Sequence, residues 1–156
     1  MFPSVKIFVL CLVFTIAHCN DKLHCREGDT SYIIMTKAEG ENKNRVLDSN
    51  NFGKVYTHDL NGMKWQRWVA TKTSGGFYTL KNVGSGLLLE GSGVGVFSAK
   101  SNGQSSQQWH QMMAPGGFYI ENKEYKQVLV PDGDSLVLRN RVNSVDQMWT
   151  SSDVPC

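Results

Sequence analysis

Few side chains in this 156-residue chain are spaced for covalent chemistry. His24, His58 and His110 are scattered, with neither the H-x3-H nor the paired-cysteine spacing that a structural zinc ion uses. There is no Gly-x-Ser-x-Gly elbow and no Cys–His arrangement suited to a nucleophile. Gly91-Ser92-Gly93-Val94-Gly95 has the composition of a phosphate loop, but such a loop lies between a strand and a helix. Here an apolar strand pattern follows, so a hairpin loop is expected. Asp132 and Asp134 flank a glycine in a turn, where solvation accounts for them. The expectation is a protein that is not an enzyme and uses no metal or cofactor.

The residues that do recur suit recognition and packing. Gln-x-Trp appears as Gln66-Arg67-Trp68, Gln107-Gln108-Trp109 and Gln147-Met148-Trp149, at spacings of 41 and 40 residues. Gly75-Gly76-Phe77-Tyr78 returns 41 residues later as Gly116-Gly117-Phe118-Tyr119, and Thr30-Ser31-Tyr32-Ile33 holds the equivalent place in a first unit. A third marker is an apolar strand centred ten residues before each Gln: Val55-Tyr56-Thr57, Val96-Phe97-Ser98 and Leu136-Val137-Leu138. Three markers in one register define three repeats, about 26–70, 71–113 and 114–156. The first carries an insertion from Ala38 to Arg45, a candidate contact loop.

Between the markers, runs of three to six aromatic, β-branched and leucine residues alternate with turn signals such as Asn61-Gly62, Pro115-Gly116-Gly117 and Asp132-Gly133. No window keeps a helical apolar period. The fold class is all-β. About a dozen short strands leave many edges, which closure into a barrel removes.

The first twenty residues, MFPSVKIFVLCLVFTIAHCN, have a charged Lys6, ten apolar residues from Ile7 to Ile16 and a small-x-small Ala17-His18-Cys19. Ten apolar residues fall far short of a bilayer, so residues 1–19 read as a secretory signal peptide, cleaved after Cys19 or Ala17. Residues 20–156 then form a single extracellular domain without a membrane anchor. That domain retains Cys25 and Cys156, which an oxidising route would pair across 132 residues; two free thiols or an intermolecular bond are the alternatives. Such a bridge requires the chain ends to meet, as a threefold repeat closing on itself arranges. Without Lys6 the domain carries fifteen basic residues against fourteen acidic ones, unclustered, which argues against nucleic acid as a partner.

Three Gln-x-Trp units at this spacing resemble the ricin B-type lectin family across essentially the whole mature chain. The resemblance implies a β-trefoil, a six-stranded barrel capped by three hairpins, in which Trp68, Trp109 and Trp149 are core residues. Gln66, Gln107 and Gln147 then brace the sugar-binding loops. Sugar binding in that family further uses an early Asp, an aromatic ring on the next strand and an Asn before the Gln-x-Trp. Counting back from each Gln, the first unit offers Asp48, His58 with nearby Tyr56, and Trp65 in the Asn place. The second unit offers Glu90, Ala99 and Ser106, an acid without a ring. The third offers Val130, Arg139 and Asp146 and has lost the acid.

The first unit is therefore the expected site, with Asp48 accepting sugar hydroxyls, His58 or Tyr56 stacking and Gln66 positioning the loop. The competing reading makes Asp48 a turn residue and His58 a solvated side chain. Two functions follow from the resemblance and its erosion. One is a secreted monomeric lectin for a glycan or cell-surface glycoprotein. The other is a secreted effector, as in saliva, venom or defence secretions, that grips a host protein without sugar.

Overall fold

The computed structural model describes residues 29–156; the expected signal peptide 1–19, His24 and Cys25 lie outside them. β-branched, aromatic and leucine runs become strands between the turn residues. The first unit contributes β1 (Thr30–Thr36), β2 (Val46–Ser49), β3 (Val55–His58) and β4 (Trp68–Lys72). The second contributes β5 (Tyr78–Asn82), β6 (Leu88–Ser92), β7 (Gly95–Ala99) and β8 (Trp109–Ala114). The third contributes β9 (Gly117–Asn122), β10 (Val128–Asp132), β11 (Ser135–Arg139) and β12 (Trp149–Pro155).

Strands β1, β4, β5, β8, β9 and β12 pair antiparallel in that order, and β12 returns to β1 from Thr30–Pro155 to Thr36–Trp149. This closes a six-stranded barrel. The remaining strands form the hairpins β2–β3, β6–β7 and β10–β11. They join the barrel through Met35–Val46, Lys81–Leu88 and Glu121–Val128, one per unit. The architecture is a β-trefoil.

One apolar cluster holds the units together, with Leu47, Leu89 and Leu129 packed among Trp68, Trp109 and Trp149. None of these six is more than 1% exposed. Each indole Nε1 donates to a leucine carbonyl in its own unit, Leu47 at 3.0 Å, Leu89 at 3.0 Å and Leu129 at 2.9 Å. A buried tryptophan removes roughly 150–250 Å² from water, a gross gain of about 4–6 kcal/mol. The hydrogen bond keeps that gain from being offset by an unpaired N–H.

The insertion docks onto the third unit. Lys37 N donates to Met148 O at 2.9 Å and Glu39 N to Asp146 Oδ1 at 3.2 Å, on either side of the buried Ala38. Arg45 pairs with Asp134 at 2.6 Å and donates to Thr57 O at 2.8 Å. The segment expected as a contact loop is thus fastened at both ends, leaving Glu41, Lys43 and Asn44 exposed between them. Cys156 N donates to Asp29 O at 3.1 Å, and Asp29 lies four residues after Cys25 in the sequence.

Candidate functional site

Each Gln of the Gln-x-Trp ends a single 3-10 turn: Lys64–Gln66, Ser105–Gln107 and Val145–Gln147. That turn aims the amide back into the loop before it. Gln66 donates to Asp59 O at 2.8 Å and accepts from Asn61 N at 2.8 Å. Gln107 makes the same pair with Lys100 O at 2.9 Å and Asn102 N at 3.0 Å. Gln147 makes it with Asn140 O at 3.0 Å and Val142 N at 2.7 Å. All three are buried, so the loop geometry is fixed by the scaffold before any ligand arrives.

In the first unit the acid lies inside β2, and the turn begins at Asn50, whose Oδ1 accepts from Phe52 N and Lys54 N. Asp48 is 3% exposed. Its Oδ1 accepts from Ser49 N at 2.7 Å and its Oδ2 from Gln66 Nε2 at 2.9 Å. Burial lifts its carboxyl above the usual aspartate range, against smaller opposing pulls from Gln66, Ser49 N–H and His58. Tyr56 stands directly across the ladder, its hydroxyl pushed up by burial and by Asp48. His58 is exposed, pairs with Val46 instead, and meets the Tyr56 ring edge-on at 6.3 Å. Trp65 packs across the unit boundary, so close to Gly84 that a Cβ there would lie 2.5 Å from the indole. Asp48 thus braces Gln66, and the expected first-unit site does not offer an open carboxylate.

The second unit is more open. Glu90, one methylene longer than Asp48, is partly exposed. It accepts from Gln107 Nε2 at 2.8 Å and Ser106 Oγ at 3.0 Å. Longer contacts of 3.3 and 3.4 Å come from Asn102 Nδ2. Directly across the ladder lies Phe97, 38% exposed. Counting back from Gln107 points to Ala99, which has no ring, as the second unit's stacking position; Ala99 pairs with Leu88, and the residue opposite the acid is Phe97. The marker ten residues before each Gln, rather than a position eight before, would have found it. In the third unit Val130 faces Val137, which gives neither acid nor ring, and Arg139 pairs with Val128 and bridges to Asp132 at 3.5 Å.

Two further residues were not singled out in the sequence. Asn82 and Asn122 are fully buried at the unit boundaries and donate to the carbonyls of Trp65 at 2.7 Å and Ser106 at 2.8 Å. Their Oδ1 atoms accept from the following turns, at Gly84 N and Glu124 N. They tie each of these sites to the next unit. Their only sequence signal is their shared place before a turn, 40 residues apart. Among the described residues, no group of three or more His, Cys, Asp and Glu side chains gathers as metal ligands would.

The sequence profile of the ricin-type β-trefoil lectin domain-like family matches residues 64–143. Among solved structures, the chain resembles the designed threefold-symmetric protein ThreeFoil, with a TM-score of 0.70 and 19% identity over 80% of this chain and 99% of that one. SeviL, solved with the asialo-GM1 saccharide, aligns with a TM-score of 0.67 and 19% identity over 80% and 96% of the two chains. An exo-β-1,3-galactanase from Clostridium thermocellum aligns at 0.69 and 21% identity over 80% of this chain but 30% of its own. At such identities the likeness is one of fold. No curated protein matches the sequence.

Proposed function

The chain belongs to the ricin-type β-trefoil lectin domain-like family, and from that footing we propose a secreted, non-enzymatic module that binds carbohydrate through its second unit. The observation that carries the reading is the partly exposed Glu90 set across a ladder pair from the exposed Phe97. A carboxylate accepts strong hydrogen bonds from two neighbouring sugar hydroxyls, and a flat ring suits the C–H face of a pyranose. Gln107 and Ser106 hold the acid in place, while the long Asn102 contacts are the ones a sugar would displace. One site per chain makes binding monovalent and weak. The galactanase alignment takes in less than a third of that enzyme, and its activity is not carried over.

Secretion rests on the leader, and a Cys25–Cys156 bridge is supported by the Cys156–Asp29 backbone contact. The test is a glycan array probed with the wild type, Glu90→Gln and Asp48→Asn. Glu90→Gln is expected to lose about tenfold or more in affinity, and Asp48→Asn to keep its glycan. Unchanged binding by Glu90→Gln would remove the proposal.

A second reading is a secreted effector that grips a host protein. It draws on Phe52 and Val94, 88% and 98% exposed at the tips of two hairpins. Retention on cells that free sugar does not reverse, and that Phe52→Ser and Val94→Ser together abolish, would favour it.

A further inference from the structure

The barrel axis is lined in layers, each with one residue per unit. Ile34, Leu80 and Ile120 make a buried layer. Tyr32, Tyr78 and Phe118 make the next, each three residues before the point where its strand meets a hairpin. The last position, two residues after each Gln-x-Trp tryptophan, falls on Ala70, Gln111 and Ser151. Two of these are too small to reach across the axis, and Gln111 is exposed. The barrel end away from the hairpins therefore stays unfilled, as a cavity of about 210 Å³ that also touches Trp109.

The lining constrains the occupant. None of the lining residues is charged, and the polar side-chain groups are phenol, amide, hydroxyl and the Trp109 indole, whose N–H is already held by Leu89 O. A charged ligand would lose hydration there without a partner, whereas an apolar one gains by leaving water. An apolar cavity of roughly 150 Å³ already holds benzene. We propose that this barrel end is a binding site for a neutral, flat ligand of one or two rings carrying a hydroxyl or carbonyl. Phe118 and the two tyrosines supply apolar walls, and Gln111 and Ser151 supply hydrogen bonds. The site shares no residue with the Glu90 groove and stands whether or not that groove binds sugar.

The test is a titration of the mature protein with 2-naphthol, followed by two-dimensional amide NMR, with naphthalene-2-sulfonate as the charged control. Saturable shifts are expected at Tyr32, Tyr78, Gln111 and the Trp109 indole N–H. Ala70→Leu, which fills the cavity, should weaken binding by about tenfold or more while leaving glycan binding unchanged. Should that variant fail to fold, Ser151→Leu fills the same layer from its exposed side. Absence of saturable shifts, shifts centred elsewhere, undiminished affinity in the folded filling variant, or equal binding of the sulfonate would each overturn the proposal.

Discussion

Asp48 and Glu90 occupy equivalent ladder positions, and one methylene separates their fates. The shorter acid stays in the wall and bonds to its own scaffold, whereas the longer one reaches partial exposure with its brace intact. The burial of Asp48 has a consequence for pH. Its folded pKa lies above the ordinary 3.8, so its contribution is fully present below that value and is lost as pH rises through the folded pKa. Asp48→Asn cannot ionise and escapes that loss. Its Tm relative to wild type should therefore climb as the pH is raised from below 3.8. A Tm difference independent of pH, or falling as pH rises, would mean the carboxyl is not destabilised by burial. The sequence carried the identities of both acids but not their exposure, which depends on cross-strand neighbours. The ladder pairs that bring Tyr56 and Phe97 across from the acids, and leave His58 and Ala99 aside, are set by turn geometry that composition does not reveal.

Among the elements, the 3-10 turns and the junctions they make decide how rigid each loop is. Both were partly legible: Gln-x-Trp marks the turn and the buried indole, while Asn82 and Asn122, polar residues locked inside, resemble ordinary turn residues until their partners are seen. The first junction gives a direct test of packing. A methyl at Gly84 would lie 2.5 Å from Trp65, so Gly84→Ala should cost about 1–3 kcal/mol by denaturant titration. Most of that cost should vanish in a Trp65→Ala background, because the clashing ring is gone. An equal penalty in both backgrounds would place the strain elsewhere. Trp109→Ala, which opens the shared core, should cost about 3–5 kcal/mol.

For the whole molecule, closure brings the two ends of the described residues together along β1 and β12. The threefold spacing made this closure legible, since three in-register markers leave few other architectures. The docked insertion was less legible, because the partners of Arg45 and Glu39 lie in the third unit, far away in sequence. A Cys25–Cys156 bridge across so long a loop would contribute about 4–5 kcal/mol by chain entropy. Cys25→Ser with Cys156→Ser should accordingly lower Tm without altering the fold, and non-reducing peptide mapping should recover the linked pair. Two alkylatable thiols in the protein isolated under native, oxidising conditions would contradict the bridge. On the proposed function, recognition is confined to one unit of a pseudo-symmetric body. Amide NMR of the mature protein, titrated with the strongest glycan from the array, addresses it most directly. Shifts clustered at Glu90, Phe97, Asn102 and Gln107 with one glycan per chain are the predicted result. Shifts centred on Asp48 or on the third unit, or an array with no bound glycan, would contradict it.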